Sequence, residues 1–282
     1  MSEAGEGAAA SSLAALDAWT VAAIAVLAYL VSNLVHEGLG HGGACLLGGG
    51  QPRVLNAVFF DCDTSPMSER GVRWMAAAGS LANVALAIVA GGVLRRGPEM
   101  GSRLRFLLWL LLAVNLLQAF GYLLFSGLGG FGDWAAVIEG ARPALVFRLG
   151  LTLLGGWLYF DLAPRVFMPL LEPFLGQARP ARVERARRLT LLPYLVGGLA
   201  YLAAGLLNPY GMKLVLLSAA AASFGGTSLL AWYPPLWARL TRTSPPGAPL
   251  GVARSRAWIL ATLVLLTFFV AVLGPGIHFG GG

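Results

Sequence analysis

Charge is scarce in this chain. Only 12% of its 282 residues are charged, against about 25% in ordinary soluble domains. Lysine is nearly absent, with Lys213 alone among 20 basic residues. The three histidines are too few for a desaturase-like di-iron site. Two cysteines, Cys45 and Cys62, without a CxxC pattern, exclude a disulfide framework. They leave one bridge open if their loop faces an oxidising compartment. The first 17 residues hold no basic residue, so they lack the positive segment of a signal peptide, and the first apolar run is expected to remain as a span. No internal repeat of fixed period is present.

What the chain has is apolar sequence. Hydrophobic residues make up 57%, mean hydropathy is +0.72, and there are 38 glycines. Small residues let helices approach closely in lipid, and a span needs about 20 apolar residues. These features predict an all-α polytopic membrane protein with about seven transmembrane helices, multi-pass in the plasma membrane. Spans are expected near 19–35, 72–94, 104–125, 144–162, 189–207, 212–232 and 257–273. The fourth would continue past Pro164 as an interfacial helix to Leu175. Residues 1–12 read as a disordered tail. Residues 51–63 read as a short β-like hairpin after the first span, and the glycines from Gly38 to Gly50 as the place where that span frays or breaks. Residues 177–188 and 233–256 read as linkers.

The formal charge of +7 does not point to nucleic acid, because the arginines sit between apolar runs. With seven spans, segments 95–105, 177–188 and 239–256 share one side and carry thirteen arginines. The opposite connections carry Arg53, Arg70, Arg142 and Lys213. The positive-inside rule then puts the N-terminus in the cytoplasm and the end of the first span outside.

At that end stands V-H-E-G-L-G-H-G-G, Val35 to Gly43. Ionisable groups in a span are costly and are functional candidates by default. A hydrolytic zinc site needs protein ligands, an open position and a carboxylate to take a proton from water. Histidines four apart on a helix are about 40° apart, but His36 and His41 are five apart, about 140° on an ideal helix. A π-bulge realigns such residues, and Gly38 and Gly40 make the distortion inexpensive. Glu37 is then placed as a general base. The alternative is a pair of interfacial histidines with a solvated carboxylate.

Further along come Ala78-Gly79-Ser80-Leu81-Ala82-Asn83 and, after Phe131-Gly132, Asp133. Together with His36-Glu37 and His41 these resemble, in order and spacing, the site-2 protease family of intramembrane zinc metalloproteases (peptidase family M50). The resemblance covers roughly residues 20–140. It implies a three-helix core within residues 13–140, with residues 141–282 as additional helices. It also implies Zn²⁺ held by His36, His41 and Asp133, Glu37 and Asn83 as catalytic residues, and a transmembrane protein as substrate. The family's site generally lies toward the cytosol, opposite to what the charges predict here.

Physically, Glu37 would activate water, and Asn83 would bind substrate backbone or the developing oxyanion. Asn83 also reads as helix–helix glue. Extended residues from Val54 to Phe60 would pair with an unwound substrate by strand addition. Weaker candidates are the Asp61-Cys62-Asp63 loop as a metal site, His278 as a substitute third ligand, and Asn115 and Gln118 as glue or as lining of the path to Asp133. Arg148 and Asp161 are expected to snorkel to opposite interfaces. Two other functional classes fit the same residues: a scaffold or regulator that keeps the fold without proteolysis, and a transporter using the His/Glu cluster for protons or ions.

Overall fold

The computed structural model describes residues 16–97, 99–209, 211, 215–241 and 248–280. The expected tail, the start of the sixth span with Lys213, and part of the 239–256 connection lie outside them.

The first helix, α1 (Ala18–Leu47), starts where Asp17 caps it, its carboxylate accepting from the Thr20 backbone N–H at 2.9 Å and the Thr20 hydroxyl at 2.7 Å. It does not break at the glycines. It passes into a π-helix over Val35–Gly42 and back to α-helix over Gly43–Leu47. The hairpin follows as β1 (Gln51–Asn56) and β2 (Phe59–Asp63). Then come α2 (Glu69–Arg96), α3 (Ser102–Gly129), the short α4 (Asp133–Val137) and α5 (Ala144–Leu175). The chain continues through α6 (Arg179–Gly205), the π-helical α7 (Val215–Gly225), α8 (Leu229–Leu240) and α9 (Arg256–Leu273). It ends in β3 (Ile277–His278).

Among the described residues six helices are long and apolar enough to cross a membrane: α1, α2, α3, α5, α6 and α9. The molecule is therefore a largely helical membrane protein with one small sheet. The sixth expected span is instead a π-helix, a bend and α8, which runs through Pro234 and Pro235.

Helix α3 is the axis of the bundle, buried from Trp109 to Leu123 on nearly every face. Buried polar groups on it find partners, as they must in lipid. The Trp109 indole donates to the Phe167 carbonyl at 2.8 Å, and Asn115 donates to Ser32 Oγ and to the Leu111 carbonyl, both at 2.7 Å. Asn115 is thus glue between α1 and α3.

Residues 177–188 are not a linker. Helix α6 begins there and buries Arg182 and Arg185. Arg182 pairs with Glu172 at 2.7 Å, Trp237 donates to the same carboxylate at 2.8 Å, and Arg185 donates to the carbonyls of Phe174 and Leu250. Paired this way, both charges can leave water. Arg148 donates to the Gly127 and Leu128 carbonyls, capping the end of α3, and Asp161 pairs with Arg165 at 2.6 Å.

The sheet has the order β2-β1-β3, all antiparallel, with Leu55 opposite Phe60 and Val54 opposite His278. Its hairpin tip, Ala57-Val58, is driven into the bundle. Asn33 Nδ2 donates to the Ala57 carbonyl, the Ala57 N–H donates to the Leu273 carbonyl, and Ser218 Oγ donates to the Val58 carbonyl. Cys45, at the end of α1, is disulfide-bonded to Cys62 on β2.

A cross-link closing this 17-residue separation contributes about 3 kcal/mol, chiefly by restricting the unfolded chain. The double variant Cys45→Ser/Cys62→Ser is therefore expected to melt several degrees lower in detergent, as thermal unfolding would read directly.

Candidate metal centre

The π-helix decides the site. Its hydrogen bonds run i→i+5, so His36 and His41 come onto one face, their Nε2 atoms 3.2 Å apart. Helix α4 brings Asp133, whose Oδ2 lies 3.2 Å from His36 Nε2 and 3.6 Å from His41 Nε2. Asp133 comes this close because Gly130 and Gly132, with φ of 69° and 86°, turn the chain sharply between α3 and α4.

Both imidazoles are oriented from behind. His41 Nδ1 donates to the Met75 carbonyl at 2.7 Å. His36 Nδ1 donates to Asn83 Oδ1 at 3.1 Å, and Asn83 Nδ2 donates in turn to Gln118 Oε1 at 3.0 Å. Tyr122 stacks on the His36 ring, with centroids 5.0 Å apart. With both Nδ1 atoms carrying hydrogen, neutral imidazoles aim two Nε2 lone pairs and one carboxylate oxygen at a single point. Asp133 Oδ2 is buried there and makes no hydrogen bond of adequate geometry. Three acceptors this close repel one another unless a cation lies between them.

The spacing fits such a cation. Metal–ligand bonds of about 2.0–2.1 Å in a tetrahedron put neighbouring ligand atoms about 3.3 Å apart, and the three separations here bracket that value. His36, His41 and Asp133 thus form a group that can hold a metal ion. Space for it comes from Gly79. A Cβ at that position would lie 2.5 Å from His41 Nε2 and 2.6 Å from His36 Nε2, filling the cradle. Gly40 in turn lets α1 press onto α2, since a Cβ there would meet Gly79 Cα at 2.6 Å.

Glu37 is buried beside the group and borders a cavity of about 400 Å³ that Phe59, Phe60, Tyr122, Phe131 and Asp133 also line. The Phe60 backbone N–H donates to its carboxylate. A buried carboxylate therefore adjoins both the metal-competent group and the edge of β2.

Several sequence expectations change here. Asn83 faces His36 with both ends of its amide engaged, linking that imidazole to Gln118 on α3. Gln118 belongs to that chain of bonds and does not line a path. Val54 lies in the central strand, 4% exposed, with β2 on one side and β3 on the other. Substrate strand addition at Val54 is therefore blocked, and of the hairpin's two strands β2 is the one with an edge unpaired by another strand among the described residues. His278 is held in β3 opposite Val54, away from the metal group. The Asp61-Cys62-Asp63 loop is no metal site, because Cys62 is cross-linked and Asp63 pairs with Arg53 at 2.6 Å.

Met75, Gly79, Phe60 and Tyr122 were not singled out from the sequence. The Met75 and Phe60 roles belong to backbone atoms and carry no residue signature. Gly79 stood within the motif, but its purpose is visible only across the α1–α2 contact.

Gly79→Ala is expected to abolish metal binding while the helices still assemble, as metal content of the purified variant would register. Asn83→Ala leaves the ligands in place and frees the His36 ring. A 10- to 100-fold loss of metal affinity, typical of outer-shell partners, is expected in competition with a chelator.

The chain matches no family model, no curated protein and no solved structure, so the reading of this centre rests on its own geometry and chemistry.

Proposed function

We propose that this protein is an intramembrane zinc metallopeptidase of the plasma membrane, cutting peptide bonds in membrane-embedded segments of other proteins. One observation carries the reading: two imidazoles and a carboxylate converge at metal-binding distances with a buried glutamate beside them and a strand edge in reach. Nitrogen and oxygen donors in a three-ligand set with an open side suit catalytic Zn²⁺. The resemblance of His36-Glu37, His41, Asn83 and Asp133 to the site-2 protease pattern supports the same reading.

His36, His41 and Asp133 would hold the ion, which when bound supplies Lewis-acid polarisation and acidifies water. The remaining work falls to the chain. Asn83 and the Met75 carbonyl fix the ring tautomers that leave Nε2 free. A substrate segment must first unwind, since helical carbonyls are already engaged. Its extended backbone then pairs along β2, which brings the scissile bond alongside Glu37. Glu37 takes the proton from the attacking water and passes it to the departing amine nitrogen. Phe59, Phe60 and Phe131 give the cavity an apolar wall for the substrate's side chains and keep bulk water from the bond.

Purified protein is expected to contain one zinc per chain. Glu37→Gln should keep that zinc and lose at least 10²-fold in cleavage of a single-span model substrate, the usual scale for a general base. Zinc retained with no cleavage by the unaltered protein would point to a scaffold or regulator instead. Absence of zinc with both histidines intact would sink the metal reading.

A further inference from the structure

Everything at the histidine end of the bundle lies on one side: the metal group, the sheet, the C-terminal strand and the Cys45–Cys62 cross-link. The other end carries the arginine-bearing segments. The bridge between Leu16 and Val252, and the bond from the Asp17 N–H to the Val252 carbonyl, hold the start of α1 against the last of those segments. Two unrelated constraints then orient the molecule. A structural disulfide persists in an oxidising compartment, and arginine-rich connections stay in the cytoplasm. Arg182 and Arg185 are tied into the fold, and that end keeps its excess without them.

Depth follows from helix rise. His36 lies 18 residues beyond Ala18, a climb of about 27 Å at 1.5 Å per residue, through a hydrocarbon layer about 30 Å thick. Helix α2 agrees. Gly79 is six residues below exposed Arg73 and Trp74's neighbouring turn, and sixteen above Arg95, or about 9 Å from one polar boundary and about 24 Å from the other. An exposed tryptophan beside an arginine is the usual mark of an interface.

We propose that the metal centre opens to the extracytoplasmic side and lies in the outer part of the bilayer. Its substrates are membrane-anchored proteins whose apolar segment unwinds at its outer end, and hydrolysis there releases the external portion. The orientation stands on the fold alone, whereas the substrate class rests on the peptidase reading. The shallow position suits the chemistry, because interfacial water satisfies the backbone groups that unwinding exposes, which hydrocarbon cannot do. The β2 edge takes the extended stretch, and the Phe59, Phe60 and Tyr122 side chains bordering the cavity favour an apolar residue beside the cut.

The orientation is tested in intact cells with a membrane-impermeant maleimide and two single additions to the full chain, Glu139→Cys near α4 and Arg254→Cys at the opposite end. Both positions are exposed. The native cysteines, being cross-linked, should not react. Labelling of Glu139→Cys before permeabilisation and of Arg254→Cys only afterwards is expected. The reverse pattern, or labelling of the unaltered protein without a reductant, overturns the orientation whatever the enzyme does. The substrate class is tested with two single-span reporters carrying a glycine- and proline-containing segment at the outer or the inner end of the span. Cutting of the first at least 10-fold faster than the second is expected. Faster cutting of the second overturns the depth assignment. No cutting of either by the zinc-loaded protein overturns the peptidase reading, and the substrate class with it, while the labelling result still decides the orientation.

Discussion

Three acceptor atoms held within 3.6 Å of one another are the constraint around which the rest of this molecule is arranged. Two neutral imidazoles and a carboxylate do not collect in a bilayer unless something cationic gathers them or the fold forces them together. Here several elements do the forcing. A π-helix brings residues five apart onto one face, a glycine turn delivers Asp133, and the Gly40–Gly79 contact leaves a hollow where a methyl group would otherwise sit. The bonds from His41 to Met75 and from His36 through Asn83 to Gln118 then set which nitrogen faces the hollow. Each of these concerns local backbone path or hydrogen bonding, and together they produce a chemical centre from ordinary helix packing.

Among the described residues the buried acidic, basic and histidine side chains gather at two ends of the bundle, and they are treated differently. At the arginine end, Glu172, Arg182, Trp237 and the carbonyls around Arg185 satisfy one another and close the bundle. At the histidine end, Asp133 Oδ2 keeps unused acceptor capacity and borders a cavity. A buried polar group that is fully paired stabilises or specifies the fold; one that is left with capacity beside open space is available for chemistry. The hairpin joins the two themes. Its tip is locked into the helices by Asn33, Leu273 and Ser218, one edge is covered by the C-terminal strand, and the remaining edge of β2 faces Glu37.

Much of this was readable in advance because its causes are local. Long apolar runs must become helices in lipid, so six of the expected spans followed from hydropathy, and a partly alternating β-prone run after the glycines announced the hairpin. The i, i+5 spacing of His36 and His41 required a π-distortion if both were to serve one ion, and Val35–Gly42 adopts it. Errors arose where a local cue met a tertiary contact. Glycines that tolerate a break were instead used for close helix approach, so α1 continues to Leu47. Arginines that look like a solvated linker were buried once Glu172 and several carbonyls came within reach. Val54 belongs to an extended stretch, as expected, but a strand more than 200 residues away occupies its outer edge.

By itself the sequence determined the environment and the reagents: a bilayer-spanning helical chain, because so few charges cannot keep such apolar surface in water, and one cluster of histidines and carboxylate at a helix end. Only the tertiary structure decided what those reagents do together. Asp133 joins the two histidines because a glycine turn folds it back on α1, Asn83 links His36 to Gln118 through the two ends of its amide, and β2 is left at the edge of the described sheet because β3 pairs with β1. Distances between segments far apart in the chain carry no trace in local composition, and these distances make the site.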